Sequence, residues 1–277
     1  MQFVRHFLLA VQFFTRIPIT GKLADWVGFS PAMLRASAAH FPAVGLLVGV
    51  AAAACYALLD ALLPATIYTP LVAAALSTAL TVMLTGAFHE DGLADVADGL
   101  GGSYDKARAL EIMKDSRVGA FGALALVLAL LAKVALLALL GSVEGAPAGS
   151  DESPFNGWFV CTGLVAGHVV SRTLSLLLVY WLPHVGDGAA SKSKPLADQI
   201  STGTLLVAFL WCFMTLAFIL WAQEAINLIV ACAGSVIALL YMHRLFKRRL
   251  QGFTGDCLGA AQQVCEIAFY LGLAISL

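Results

Sequence analysis

Seven of the chain's 17 acidic residues fall between positions 90 and 115: Glu90, Asp91, Asp95, Asp98, Asp105, Glu111 and Asp115. Asp91, Asp95 and Asp98 recur at i, i+4 and i+7, so on a helix they share one face. Like charges at that spacing destabilise a helix and raise one another's pKa. A divalent cation removes the conflict. Hard oxygen ligands suit Mg²⁺ or Mn²⁺, and Mg²⁺ sites combine a few carboxylates with water and substrate phosphates. Gly92 and Gly99 would let a phosphate or metal approach the backbone closely. Glu111 and Asp115, also i and i+4, follow the break at Gly101 and Gly102. Ser103 is the expected N-cap of a helix running to about Ser116. A hairpin of the two helices would gather five carboxylates. The plainer alternative is a solvated acidic loop whose acids pair with the interspersed Lys and Arg.

A second polar region opens the last apolar stretch. Asp256 stands at an expected helix start, where the macrodipole favours an anion, and it suits either a cap or a reacting group. Helical projection places Asp256, Gly259, Gln263 and Glu266 within about a quarter-turn of one another. Glu266 lies deeper and is expected to face the protein interior. Lys133 and Arg172 are cations within apolar runs. Each is placed to meet a carboxylate or a substrate phosphate, or to snorkel to an interface. His168 and Arg172 are i and i+4, and His89 reads as structural.

The elements that must hold these groups are membrane helices. Of the 277 residues 60% are hydrophobic and 12% charged, with mean hydropathy +0.88; a soluble domain carries roughly twice that charge. Seven stretches are long enough for spans of about 20 residues: 41–63, 71–88, 118–140, 155–182, 203–221, 225–242 and 257–276. Lipid cannot satisfy free backbone groups, so each must be a helix, and no period-two alternation suggests a barrel. The expected fold is all-α, a polytopic bundle forming a single membrane domain over residues 1–277. Residues 1–40 form an N-terminal segment with an interfacial helix carrying Phe3, Phe7, Val11 and Phe14, ended by Pro18.

The basic residues group as Arg5, Arg16, Lys22 and Arg35; Lys106, Arg108, Lys114 and Arg117; Lys192 and Lys194; and Arg244, Lys247, Arg248 and Arg249. With seven spans these four groups fall on one side, which by the positive-inside rule makes the N-terminus cytoplasmic and the C-terminus periplasmic. The acidic segment 89–117 is then a cytoplasmic loop. The six cysteines are scattered without metal or disulfide spacing. The net charge of −1 says nothing of a partner, and the lack of a nucleic-acid motif or a basic stripe points away from nucleic acid. Gly45, Gly49 and Ala53 leave close helix packing open, within the chain or between copies in a homo-oligomer.

Several segments resemble the cobalamin synthase family (adenosylcobinamide-GDP ribazoletransferase, or cobalamin-5′-phosphate synthase). These are Leu84-Thr-Gly-Ala-Phe-His-Glu-Asp-Gly-Leu-Ala-Asp-Val-Ala-Asp-Gly99 with Glu111-Ile-Met-Lys-Asp-Ser-Arg-Val-Gly119. Phe14-Thr-Arg-Ile-Pro18, Phe41-Pro-Ala-Val-Gly45 and Gly255-Asp-Cys-Leu-Gly-Ala260 agree with it. The resemblance covers the chain from about residue 7 to its end. It implies a bacterial inner-membrane enzyme that joins adenosylcobinamide-GDP to α-ribazole, or its 5′-phosphate, giving adenosylcobalamin or its phosphate and GMP. A ribose hydroxyl attacks a pyrophosphate, with Mg²⁺ required and Mn²⁺ a substitute. The matching carboxylates are Asp91, Asp95, Asp98, Glu111 and Asp115 as metal ligands, and Asp91, Asp98 and Asp256 as catalytic groups. Asp98 or Asp256 would accept the hydroxyl proton. Lys133 and Arg172 are candidates to hold substrate phosphate, and Glu90 is peripheral to the motif.

Two other classes use similar residues. A cation or solute transporter would place acids near the midplane, whereas these cluster at one membrane edge. A CDP-alcohol phosphotransferase also clusters aspartates on neighbouring helices, but with a spacing this chain does not match.

Overall fold

The computed structural model describes residues 1–144, 157–186, 200–222 and 227–277. Among these residues the ordered elements are helices, with one isolated bridge between His184 and Phe253. The first are α1 (Gln2–Phe14), α2 (Gly21–Val27) and α3 (Pro31–Ser37), the last leading through a short 3-10 turn, Ala38–His40, into α4 (Phe41–Leu62). There follow α5 (Thr69–Thr85), α6 (Phe88–Gly102), α7 (Lys106–Ile112), α8 (Ala120–Glu144) and α9 (Trp158–Trp181). The chain closes with α10 (Thr202–Ala222), α11 (Leu228–Arg249) and α12 (Gly255–Ile275). Asp151, Glu152, Lys192 and Lys194 lie outside the described residues.

Among the described residues six helices are long and apolar enough to cross a membrane, and a seventh crossing is made if α5 and α6 are taken together. The all-helical polytopic bundle expected from the hydropathy is therefore present. α9 and α12 are its centre: α4 packs on α9, and α6 and α11 pack on α12. α8 and α10 turn Leu124, Leu128, Leu131, Leu206, Leu210 and Phe213 outward, as lipid-facing helices do. Gly45 and Gly49 sit against the backbone of α9, where added Cβ atoms would lie 2.5 Å from the His168 carbonyl oxygen and 2.8 Å from the Val165 Cα. Gly45 and Gly49 thus serve packing within the chain.

The second span is not one straight helix. Gly86 and Ala87 both take the left-handed conformation, with φ of +67° and +59°, and the chain turns by 89° between α5 and α6. The acids consequently do not continue the axis of α5, although all three still ride one helix. The bend sits inside an unbroken apolar run, which hid it from a hydropathy reading. The Arg16 guanidinium covers Gly86, and the Arg16 N–H donates to the Leu84 carbonyl at 2.7 Å.

Three further elements depart from expectation. α1 ends at Phe14 rather than at Pro18, because the Thr15 hydroxyl donates to the Val11 carbonyl and accepts from the Ile17 N–H, closing the helix early. α7 begins behind Asp105, whose carboxylate accepts from the Arg108 N–H, and Ser103 instead ends α6. α11 continues to Arg249, so its basic residues complete a helix end, where the dipole favours cations, and do not start a loop.

Segments far apart in sequence meet at one end of the bundle. Arg249 donates to the Leu100 and Ser103 carbonyls at 3.0 and 2.6 Å. Lys106 reaches the Gln251 amide oxygen at 3.4 Å, the Val185 N–H donates to the Phe253 carbonyl, and the Phe253 N–H donates to the Pro183 carbonyl. The bend at Gly86 sets how α6 enters this end. Gly86→Val places a β-branched residue at positive φ under the Arg16 side chain, and is expected to cost about 1–2 kcal/mol in backbone strain alone. Thermal unfolding in detergent should show a lowered midpoint; an unchanged midpoint would mean the bend is not a fixed element.

Candidate active site

α6 and α12 cross where neither has a side chain. A Cβ on Gly92 would lie 2.7 Å from the Asp256 carbonyl oxygen, and one on Gly259 would lie 3.2 Å from the His89 Cα. This close approach brings the acidic face of α6 to the first turn of α12. Asp91 is exposed, while Asp95 and Asp256 are half-buried. Asp95 lies within electrostatic reach of Asp256, Asp91 and Asp98, and Asp256 within reach of Asp91. Thr254 caps α12 by accepting from the Cys257 N–H, and its hydroxyl donates to Asp256 Oδ2 at 3.2 Å. Among the described residues no Lys or Arg is paired with Asp91, Asp95 or Asp256.

Asp98 has a different environment. It is buried, and its two oxygens accept from the Gly119 and Gly122 N–H groups at 2.7 and 2.8 Å. An α6 carboxylate therefore caps the start of α8, satisfying donors that the helix itself leaves free. Glu111 and Asp115 are elsewhere. α7 is only seven residues long and ends at Ile112, so Asp115 does not share its face as the i, i+4 spacing predicts. Glu111 pairs with Arg108 at 2.7 Å and Asp115 with Arg117 at 2.5 Å, both near the surface. The Arg117 hydrogen bonds hold the Asp115 carboxyl down at about 2. Asp98, Glu111, Asp115, Arg108 and Arg117 all line one cleft of about 600 Å³. The five acids expected in one hairpin thus form two neighbouring groups. Asp91 and Asp95 face Asp256, Glu111 and Asp115 face the cleft, and Asp98 stands between.

Whether these residues suit a divalent cation can be judged from their own chemistry. No three acidic, His or Cys side chains among the described residues already converge as a closed metal cage. What exists is a set of hard oxygen donors, close together and without a cationic partner among the described residues. That fits an ion such as Mg²⁺, which keeps several waters and takes only one or two carboxylates with substrate oxygens.

Lys133 and Arg172 are not beside this set. Both are about 1% exposed and converge on Glu266, which is fully buried. Lys133 Nζ lies 2.6 Å from Glu266 Oε1, His168 Nδ1 is 3.1 Å and Arg172 Nη1 3.8 Å from Oε2, and the Tyr270 hydroxyl donates to Oε1 at 3.1 Å. Of the two partners open to them in the sequence, the carboxylate is the one found, and Glu266 faces the interior as expected. On sequence alone Glu90 is peripheral to the motif and Gln262 has no role. Both are buried beside this cluster. A charge count could have flagged Glu90: Lys133, Arg172 and Glu266 alone leave one positive charge without a counter-ion.

Fold and site together define a polytopic membrane protein with a carboxylate-rich centre at one end of its bundle. The model of the cobalamin-5-phosphate synthase family matches residues 6–274, and the chain belongs to that family. It is similar to a protein of Polaromonas naphthalenivorans named adenosylcobinamide-GDP ribazoletransferase, with 72% identity over the full length of both chains. Relatives of the same name from Leptothrix cholodnii and Vibrio cholerae are 45% and 40% identical, covering 97% and 96% of this chain and 94% and 91% of their own. No solved structure matches the chain.

The crossing makes a direct test. In Gly92→Ala the new methyl meets backbone, which cannot swing aside, so α6 must move from α12. Displacement on the order of 1 Å costs roughly a hundredfold in rate for a positioned site. Turnover of the purified variant should fall by that order while membrane insertion persists; wild-type turnover would mean the α6–α12 contact does not set the site.

Proposed function

We propose that this chain joins adenosylcobinamide-GDP to α-ribazole or its 5′-phosphate, releasing GMP and giving adenosylcobalamin or its 5′-phosphate, the step its relatives are named for. It is a transferase of a phosphate-linked group. The observation that carries the assignment of the site is the set of close carboxylates Asp91, Asp95 and Asp256 at the glycine crossing, without a Lys or Arg partner among the described residues.

In this reading Asp91 and Asp95 hold the divalent ion, Mg²⁺ with Mn²⁺ as a substitute, and Asp98, Glu111 and Asp115 extend the acidic wall toward the cleft. The bound ion supplies charge neutralisation for the pyrophosphate and the departing GMP. Asp256 accepts the proton of the attacking ribose hydroxyl. Thr254 orients it through Oδ2, and no cation among the described residues competes for its other oxygen. The new bond forms between that hydroxyl oxygen and the cobinamide-proximal phosphorus. The bond to the GMP phosphate oxygen breaks, and GMP leaves with the electron pair. Asp98 is a weaker choice of base than Asp256, since both of its oxygens already accept backbone N–H groups. Arg108 and Arg117, at the cleft, are better placed than the buried Lys133 and Arg172 to meet a substrate phosphate.

The site faces the cytoplasm of the bacterial inner membrane in this reading. Basic residues gather at the bundle end that carries Leu100, Ser103 and Arg249, the side on which such residues are retained and where nucleotide substrates are available. The test is GMP release by the purified, reconstituted protein from adenosylcobinamide-GDP plus α-ribazole phosphate. Release should require Mg²⁺, vanish with a chelator, and be lost in Asp91→Asn, which should still insert. Wild-type activity in that variant would sink the assignment of the acidic face.

A further inference from the structure

Glu90 precedes the first site aspartate, and its side chain is buried where that of Asp91 is exposed. It is 6% exposed and lies on the face of α6 that meets α12. Its Oε1 accepts from Gln263 Nε2 at 2.9 Å. The same Gln263 amide nitrogen donates to Gln262 Oε1 at 3.1 Å. Gln262 in turn donates to Glu266 Oε2 and, at 3.1 Å, reaches the Ser171 hydroxyl. A continuous chain of side chains therefore runs from the root of the acidic helix to the buried ion cluster on α8, α9 and α12. Arg172 lies within electrostatic reach of both Glu266 and Glu90. With Glu90 included, two carboxylates balance the two cations Lys133 and Arg172 in a setting where an unbalanced charge is costly.

The geometry points to Glu90 as a positioning residue for the reacting site. Through its bond to Gln263 and its place in the buried charge balance, it fixes the rotation of α6 so that Asp91 and Asp95 face Asp256. Successive helical residues are about 100° apart. Turning Glu90 toward α12 leaves Asp91 on the exposed side of the same helix, as its accessibility shows. The crossing at Gly92 and Gly259 gives the two helices a smooth contact, and a smooth contact by itself resists rotation poorly. The Glu90–Gln263 bond is the polar tie beside it. The inference rests on the reading of Asp91, Asp95 and Asp256 as the reacting carboxylates.

The test uses the full chain reconstituted in bilayers, with three variants: Gln263→Leu, Glu90→Gln, and the exchange Glu90→Gln with Gln263→Glu. GMP release gives kcat and KM. Hydrogen exchange over residues 88–102 reports the seating of α6 without reference to activity. Gln263→Leu and Glu90→Gln should each lower kcat by about tenfold or more, with KM changed by less than about twofold, since orientation and not binding is lost. Protection in α6 should fall in both. The exchange restores one carboxylate and one amide across the same contact, and should recover most of the lost kcat and the protection. Two results would overturn the inference: single variants with wild-type kcat and protection, or an exchange variant that regains α6 protection yet stays as slow as Glu90→Gln, which would mean that Glu90 itself touches substrate. Asp91→Asn run alongside separates the levels. If it keeps turnover, the site reading fails and takes the inference with it; if it is inactive while Gln263→Leu is fully active, only the inference fails.

Discussion

A carboxylate cannot stay ionised inside a membrane bundle without cations beside it, and much of this fold follows from Glu266. It lies about 16 Å along α12 from the helix start, fully buried, with Lys133 of α8 and His168 and Arg172 of α9 directed at it. Removing one member of such a group leaves an uncompensated buried charge, a loss of order 3–5 kcal/mol. In lipid, where apolar contact between helices gives little net drive, a shared ion cluster specifies which helices stand next to each other. Here it selects α8, α9 and α12 as neighbours and fixes their relative depth, because the charged atoms must coincide.

The acidic group at the bundle end obeys the opposite condition. Asp91, Asp95 and Asp256 are held together with no Lys or Arg paired to them among the described residues. The rigid interior makes that arrangement sustainable. α6 is fastened at its root by Glu90 and Gln263, at its far end by Arg249 on the Leu100 and Ser103 carbonyls, and on its flank by Asp98 capping α8. Three independent attachments let the exposed face keep its like charges close.

How much of this was legible in the sequence depended on the range of the interaction. Spans were legible because twenty apolar residues have one stable form in lipid, and all seven expected stretches correspond to helices or to the bent α5–α6 pair. The shared face of Asp91, Asp95 and Asp98 was legible from the helical period. The 89° turn was not: Gly86 and Ala87 lie within an apolar run, and the turn is closed by the Gly86 and Ala87 N–H groups on the Met83 and Val82 carbonyls, with Arg16, seventy residues away in sequence, packed over Gly86. The division of the acids was not legible either. Asp98 is drawn to α8 by two backbone N–H groups that carry no side-chain signature. Asp115 is drawn to Arg117 because α7 stops early.

The bend and the crossing are two parts of one solution. A straight second span would carry Asp91, Asp95 and Asp98 along the axis of α5, and α5 meets α4 and α8 far more than it meets α12. Turning the chain at Gly86 delivers α6 to α12 instead, and the absence of side chains at Gly92 and Gly259 lets the two backbones close until Asp256 stands among the α6 acids. Neither device suffices alone. The turn without the glycines would leave a side chain's width between Asp256 and Asp91, and the glycines without the turn would have no partner helix. Glycine at 86, 92 and 259 is therefore as much a determinant of this site as the aspartates are, although none of the three contributes an atom that could react.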